Sequence, residues 1–449
     1  MSLTSPKSRI PGPREPGNSP GVLQSPLLRN GHLLTLSSAL VAVMGLCFWT
    51  TAAWKYDASA VGSNSAAISM MMLLVSISQL NLSSAVARFV PAAGHHTKVL
   101  VAAAFAIGGC AAIVVGVCTV MIVRIVSPGS TFFEGSTVQA IFVIATVAST
   151  VLIIEEGVLA GLRRTALVPL ANFAFSAGKL GLVLAFAVTI PSHGILASWS
   201  LAAVSTVLVV GVYLFVRAIP SRRRAGAIDA VTLPPIGELA RFVTLDYLGA
   251  ICSVASLTVM PILVVTVLGA EQNAYFSMAW LVAASIFQIN LNMGTSLVVE
   301  SSIDQSDLAR QARHVLTHTG KVLAVVVLAI LVLAPYVLGV FGKSYQVADD
   351  TLRIFALAAL PHLVVMTGIS SARAQRRMWL VVWAQVPQCV LALPLTWLLL
   401  PVIGMAGASV AWLITVSLIA VGLLIRKDLW LTVAAAPVNT NPTEQKAQL

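Results

Sequence analysis

Residues 76–85 read SISQLNLSSA, and residues 285–294 read SIFQINLNMG. Five of the first seven positions carry the same residue in both stretches, and each matching pair is separated by 209 positions. Asn64 and Asn273 are separated by the same distance. The surrounding sequence is apolar, so the recurrence of one polar pattern at a fixed distance indicates an internal repeat.

The composition is that of a membrane protein. Hydrophobic residues make up 58% of the 449 residues, charged residues make up 10%, and the mean hydropathy is +0.93. These values exclude a water-soluble globular protein of this length. A membrane span needs roughly 20 mostly apolar residues. Windows of that length predict an all-α polytopic membrane protein with twelve spans, at residues 33–54, 64–87, 99–123, 137–160, 167–190, 195–216, 242–268, 274–298, 321–341, 351–371, 378–400 and 404–425.

The distribution of Lys and Arg predicts the orientation of these spans, because cytoplasmic loops carry an excess of both residues. With the N-terminus placed in the cytoplasm, 22 of the 27 Lys and Arg residues fall on the cytoplasmic side. Four fall outside, and Lys179 lies within a span. We therefore expect both termini in the cytoplasm. The formal net charge of +11 follows from this topology and is no argument for nucleic-acid binding.

The repeat predicts two parallel halves. The two copies of the polar pattern lie on the second and eighth spans, an even offset of six. Both copies therefore enter the membrane in the same orientation, which predicts two six-helix bundles around a central cavity. Later positions match at a separation of 213, where Arg163 and Arg164 correspond to Arg376 and Arg377. The predicted parts are a disordered cytoplasmic tail at 1–28, an N-terminal bundle at 29–216, a cytoplasmic linker at 217–238, a C-terminal bundle at 239–427 and a cytoplasmic tail at 428–449.

Polar side chains within the spans are candidates for a cavity lining, because a polar group is costly in lipid and faces protein or water. In the second predicted span Asn81, Ser84 and Arg88 recur at the spacing of one helix face. One interpretation is that such residues only bond neighbouring helices together. Their presence in both halves favours the other interpretation, a shared central cavity. The candidate lining residues are Gln79, Asn81, Ser84, Asn172, Ser176, Gln288 and Asn290.

Lys179 lies near the middle of the fifth span, where a cation is costly. Asn172 and Ser176 precede it at the spacing of one helix face. The residue 213 positions later is Ala392, so the shared fold does not require the charge. We expect Lys179 to bind an anionic headgroup. The alternative is a structural ion pair with an acid such as Asp246.

Three acidic residues also fall within predicted spans. Asp246 lies about one turn into the seventh span, where it could bind a cation or a proton during transport. Equally, it could pair with Lys179 or Arg241. Glu155 and Glu156 lie near the end of the fourth span, within two turns of Arg163 and Arg164. For these two we expect an ion-pair cluster at the membrane interface.

Several other chemistries are not indicated. No Walker-type phosphate loop occurs, which excludes direct ATP hydrolysis by this chain. The five cysteines lie inside predicted spans without the paired spacing of metal ligands, so we expect neither a metal site nor a disulfide framework. No cofactor is implied. The predicted external loops are too short for the catalytic domain of a typical membrane transferase, and we do not expect an enzyme.

The chain resembles the polysaccharide-transporter and oligosaccharide-flippase branch of the multidrug/oligosaccharidyl-lipid/polysaccharide exporter superfamily. In the first half the resemblance rests on AVGSNSAAISMMMLLVSISQLNLSSAVARFVPAAG at residues 60–94. In the second half it rests on VLGAEQNAYFSMAW at residues 267–280. It covers roughly residues 25 to 428, and it differs from the family pattern at Ser63 and Asn64, where many members carry an aromatic residue.

This resemblance implies two bundles around a cavity that opens alternately to either leaflet, lined by the first, second, seventh and eighth spans. It implies export of a polyprenyl-diphosphate-linked oligosaccharide from the cytoplasmic to the outer leaflet of a bacterial inner membrane. Arg88, Lys179 and Arg241 are the cations available for the diphosphate. Expected partners are the lipid-linked glycan, membrane lipids, and a glycan polymerase or glycosyltransferases. Nucleic acid is not among them.

Two alternatives remain open. A cation-coupled multidrug or small-molecule exporter of the related branch would use Asp246 as its coupling residue. A membrane scaffold that transports nothing would not depend on Lys179.

Overall fold

The computed structural model describes residues 26–126, 135–220, 236–303 and 307–431. Within these ranges the chain forms helices joined by short turns. The helices of the first half are α1 (Pro26–Lys55), α2 (Ala58–Ser78), α3 (Leu82–Phe89), α4 (Thr97–Val126), α5 (Ser136–Gly161), α6 (Leu167–Thr189) and α7 (Gly194–Tyr213). Those of the second half are α8 (Ile236–Leu268), α9 (Ala270–Ile303), α10 (Leu308–Gly339), α11 (Asp349–Ala374), α12 (Met378–Ile403), α13 (Ala406–Ile425) and the short α14 (Asp428–Leu431).

The all-α polytopic class is confirmed. Eleven helices of the described chain are long and apolar enough to cross a membrane. The remaining predicted span, at 33–54, lies on α1, whose described apolar section is the shorter stretch Leu40–Lys55. Because backbone polar groups must bond within each segment in lipid, helices are the expected form for spans of this composition.

The second predicted span is not one continuous helix. The prediction of a single helix over 64–87 is wrong, because α2 ends at Ser78 and α3 begins at Leu82. Leu80 and Asn81 between them adopt left-handed backbone conformations, with φ of 48° and 56°. We call this interruption the α2 break. Asn81 therefore does not continue the helix face of Ser84 and Arg88, which are both exposed on α3.

The two halves repeat the same backbone turn, which confirms the internal repeat. Arg163 and Arg376 each have a φ of 58°. The amide of Arg164 donates to the carbonyl of Leu159 at 2.8 Å, and the amide of Arg377 donates to the carbonyl of Ala372 at 2.8 Å. Each turn ends one long helix and begins the next, α5 to α6 in the first half and α11 to α12 in the second. The helices thus form an N lobe of α1–α7 and a C lobe of α8–α14.

The lobes meet along α2, which packs against both α8 and α9. Gly62 on α2 lies directly beneath the first turn of α9, where an added Cβ would stand 1.7 Å from the carbonyl oxygen of Ala270. Only a glycine allows the two helices to approach this closely. The contact lies at the end of the bundle that the loop charges predict to be external.

The predicted boundaries between the parts lie within the described chain, at 28/29 inside α1, at 216/217 in the helix that continues α7, at 238/239 inside α8 and at 427/428 just before α14. A π-helical turn at Leu214–Ala218 continues α7, the helix extends to residue 220, and α8 begins at Ile236. Residues 221–235, within the predicted linker, are outside the described chain. So are residues 1–25 and 432–449 of the two predicted tails.

Candidate functional site

A hydrogen-bonded contact closes the cleft between the lobes at its predicted external end. The side-chain amide of Asn273 on α9 donates to the carbonyl of Gly62 at 2.7 Å and to Ser65 Oγ at 3.1 Å. Ser65 Oγ also lies 2.9 Å from Ser277 Oγ. All of these side chains are buried. We call this group of Gly62, Ser65, Asn273 and Ser277 the outer seal, because it joins α2 to α9 without leaving room for water.

The cleft opens at the other end. Near the outer seal α9 is buried on all sides, since Ala274, Phe276 and Ala279 are each 0% exposed. Gln288 follows Ser277 by eleven residues, which is about three helical turns, so it lies on the face that meets the N lobe. There α9 exposes the polar side chains of Gln288, Asn292, Thr295 and Ser296, with the apolar Leu291 and Met293 exposed among them. Because exposed polar side chains on a membrane helix face water rather than lipid, we expect this face to line an aqueous cleft that opens at the predicted cytoplasmic end.

The α2 break borders this cleft and is held by the opposite lobe. The hydroxyl of Tyr247 on α8 donates toward the carbonyls of Ser76, at 3.2 Å, and Ile77. These carbonyls belong to the last turn of α2, where the break removes regular helical partners. Gln79, the residue after α2, is half-buried beside them.

Lys179 lies in an aromatic box inside the N lobe. Its Nζ stands 4.1 Å from the centre of the Trp199 ring and 5.0 Å from the centres of both Phe48 and Phe175. Ring faces attract a cation, most strongly when it is desolvated. Lys179 is 7% exposed, and within the described residues no carboxylate pairs with it. The structure does not bring it together with Arg88, which is exposed on α3.

The remaining polar residues of the N lobe do not form the expected ion pairs. Glu155 on α5 is 1% exposed, and neither of its carboxylate oxygens has a partner within the described chain. Glu156 bonds the side chain of Asn172. The predicted interfacial ion-pair cluster is therefore wrong for Glu155, because burial in the lobe separates it from the exposed arginines that follow α5. Ser176, one turn before the lysine of the aromatic box, is buried.

The C lobe contains a cavity of about 170 Å³ between α8, α9, α11 and α12, with a mostly apolar surface and several polar side chains on its wall. We call it the C-lobe cavity. The polar side chains on its wall are Ser253, Gln288, His362, Gln385 and Gln388. Of these, only Gln288 is among the lining residues predicted from the sequence. The other glutamines and the histidine lie inside predicted spans, so the rule that polar residues in spans face protein or water would have found them.

Asn290 is not on the cavity wall but bonds residues of α11 next to it. Its side-chain Nδ2 donates to the carbonyl of Ala359 at 3.0 Å and lies 3.1 Å from His362 Nδ1. It is 1% exposed, whereas Gln288 is exposed and donates from Nε2 to Asn292 Oδ1 at 3.0 Å. Two candidates from the same polar stretch thus point to different sides of α9.

Arg241 and Asp246 lie on α8, but their side chains are outside the part of the chain that the structure describes. The roles of these two residues therefore stay predictions. Within the described ranges, no group of three or more His, Cys, Asp or Glu side chains is placed to hold a metal ion.

No model of a protein family and no curated protein sequence matches this chain. Solved structures share its fold. An inward-facing multidrug resistance MATE family transporter of the MOP superfamily aligns with a TM-score of 0.66 at 14% identity, over 87% of this chain and 94% of that one. An outward-facing structure of such a transporter aligns with a TM-score of 0.58 at 16% identity, over 88% and 94%. A MOP superfamily transporter from Pyrococcus furiosus, described as having a binding pocket of reversed polarity, aligns with a TM-score of 0.60 at 15% identity, over 88% and 93%.

Proposed function

We propose that this chain is an alternating-access transporter that moves a lipid-linked oligosaccharide or polysaccharide precursor from the cytoplasmic to the outer leaflet. The observation that carries the proposal is the asymmetry of the cleft between the lobes. One end is closed by the outer seal, and the other end exposes a polar face of α9 to water. A substrate that enters from the open end can leave only after the seal opens.

The relatives in fold support this cycle. Structures with the same arrangement of helices have been solved facing inward and facing outward. In this chain the seal consists of four small or short polar residues and no ion pair. Few hydrogen bonds, each contributing about 0.5–1.5 kcal/mol, have to break when it opens. Such a seal suits an equilibrium between two conformations of similar free energy.

The proposed substrate has a diphosphate head, and the chain offers cations for it. Lys179 is a buried cation with no carboxylate partner in the described residues, and Arg88 is exposed near the open end of the cleft. Arg241 is a third candidate on the sequence alone. An inside-negative potential favours outward movement of the negative head by about 2.3 kcal/mol per charge per 100 mV. We therefore expect the potential to accelerate transport.

The decisive experiment measures the lipid-linked saccharides of cells depleted of this protein, by mass spectrometry of membrane extracts. The proposal expects one polyprenyl-diphosphate saccharide to accumulate while its surface glycan disappears. An unchanged pool of lipid-linked saccharides would overturn the proposal. Flipping of the accumulated lipid by the purified protein in liposomes, with and without an imposed potential, then tests whether the potential drives it.

A second candidate is a cation-coupled exporter of small molecules. It is favoured by the likeness in fold to multidrug resistance transporters and by Glu155, a buried carboxylate without a partner in the described chain. Asp246 is the coupling residue expected from the sequence. In this case depletion raises sensitivity to cationic drugs and leaves lipid-linked saccharides unchanged, and Asp246→Asn or Glu155→Gln abolishes drug export without unfolding the protein.

A further inference from the structure

The C-lobe cavity is separate from the seal and from the aromatic box, and neither accounts for it. Its wall is formed by four helices of the C lobe. Gln288, Leu257 and Leu291 on its wall are exposed, and Gln288 lies on the face of α9 that meets the N lobe. The cavity therefore opens sideways into the cleft between the lobes, where a substrate would pass.

The cavity offers a hydrogen-bond donor whose position is fixed. Asn290 must place its Nδ2 toward Ala359, because a carbonyl accepts only from the amide nitrogen. The same nitrogen donates its second hydrogen to His362 Nδ1, which is therefore the unprotonated ring nitrogen. Neutral imidazole then carries its proton on Nε2. His362 is on the cavity wall and 8% exposed, so it presents this N–H group to whatever the cavity holds.

Two glutamine side chains of α12 lie on the same wall as this donor. Gln385 is 5% exposed, lines the cavity, and its Oε1 has no hydrogen-bond partner within the described chain. Gln388, one turn further along α12, is 6% exposed and also lines the cavity. At Gly249 an added Cβ would stand 2.4 Å from Gln385 Oε1, so this glycine leaves the space that the amide occupies.

The described residues of the wall include no charged side chain. Because nothing among them would compensate the desolvation of an ion, they match a neutral ligand that both donates and accepts. Hydroxyl groups do both. The ring of Phe287 forms an apolar part of the wall, and it lies 4.9 Å from the ring of His362. A volume of about 170 Å³ is below the roughly 300–1,000 Å³ of sites for drug-sized ligands.

We propose that the C-lobe cavity binds one uncharged, hydroxyl-rich sugar ring, with His362 as donor and Gln385 and Gln388 as amide partners. The further step, that this ring belongs to the lipid-linked saccharide in transit, rests on the proposed function. The binding of a sugar to the cavity does not.

Equilibrium dialysis of the full-length chain in detergent tests the site with labelled glucose, galactose, mannose and N-acetylglucosamine, and with glucuronic acid as the charged comparison. We expect at least one neutral sugar to bind, and glucuronic acid to bind at least tenfold more weakly. Gln385→Leu and Gln388→Leu should each weaken binding of that sugar tenfold or more. The matched control is Gln346→Leu, because Gln346 is exposed and distant from the cavity wall.

Folding of each variant is checked by its melting temperature, and Gln388→Asn replaces Gln385→Leu if the latter fails to fold. A wild-type chain that binds none of the four neutral sugars overturns the proposal, as does unchanged binding in the cavity variants. Competition by a polyprenyl-diphosphate saccharide carrying the bound sugar assigns the ring to the transported lipid, and lack of competition assigns the site to free sugar. Sugar binding by a chain that flips no lipid would contradict the proposed function and leave the proposed sugar site standing.

Discussion

Asn64 and Asn273 occupy equivalent positions in the two repeats, 209 residues apart, and both side chains bond backbone groups of the N lobe. Asn64 stays within its own lobe, where Nδ2 donates to the carbonyl of Ser192 at 2.8 Å and Oδ1 accepts from the amide of Leu196 at 3.0 Å. Asn273 reaches across to the other lobe and bonds the carbonyl of Gly62. The same residue therefore fastens one lobe internally in the first repeat and joins the two lobes in the second.

This difference predicts different effects of the same substitution. Asn273→Ala removes bonds that exist only while the outer seal is closed, so it should favour the outward-open state. In a cysteine-free chain carrying Ser277→Cys, we expect a membrane-impermeant maleimide to react at least fivefold faster. Asn64→Ala should leave that rate unchanged and lower the melting temperature, since three lost hydrogen bonds, to Ala60, Ser192 and Leu196, destabilise the lobe by about 1.5–4.5 kcal/mol. Equal labelling rates in both variants would contradict the assignment of Asn273 to the seal.

Gly62→Ala should prevent the seal from closing. Its Cβ would stand 1.7 Å from the backbone of Ala270, and a backbone contact cannot be relieved by moving a side chain. We expect flipping in liposomes to fall at least tenfold while the helix content is unchanged. Gly181→Ala is the matched control, because it lies in the middle of α6 and its Cβ would meet nothing within 4 Å. Normal flipping by Gly62→Ala would show that the lobes do not need this close approach.

The helices, their apolar character and the repeat could be predicted because each depends on local composition or on comparing the sequence with itself. The α2 break could not. Leu80 and Asn81 adopt the left-handed conformation, whereas the equivalent Ile289 and Asn290 continue α9. Asparagine tolerates that conformation, but a β-branched isoleucine is strained in it. The difference between the copies is thus visible at one position, although nothing in the sequence alone says that the break occurs.

The candidate site also has features that the sequence could predict and features that it could not. Gln288 is exposed on α9, and its place in a cavity lining stays a prediction. The box around Lys179 could not be predicted, because Phe48 and Trp199 come from helices that are distant in sequence and meet only in the folded lobe. The unpaired state of Glu155 likewise depends on how α5 packs, which spacing along one helix does not reveal.

Lys179→Met distinguishes a binding role from a structural one. Methionine keeps most of the length of the stem and places an apolar group among aromatic rings, so the melting temperature should be unchanged or higher. If the cation binds an anionic head, flipping of the lipid-linked saccharide should fall at least tenfold. Lys343→Met, at an exposed residue, should have no effect on either measurement. A Lys179→Met protein that flips at the wild-type rate would assign the lysine to packing alone.

Tyr247→Phe tests whether the C lobe holds the α2 break. The substitution removes only the hydroxyl that caps the carbonyls of Ser76 and Ile77, a contribution of about 0.5–1.5 kcal/mol. Backbone amides that are protected only while the α2 break is held should then exchange with deuterium up to roughly tenfold faster. A loss of about 1.4 kcal/mol raises the equilibrium constant for local opening tenfold. We expect this change in peptides covering residues 76–89 and not in those covering α9. Tyr336→Phe, at a tyrosine exposed on α10, is the control and should leave exchange unchanged. Unchanged exchange in Tyr247→Phe would contradict this role, and would mean that the N lobe alone fixes the α2 break. Because α2 also carries part of the outer seal, the break would then not respond when the C lobe moves.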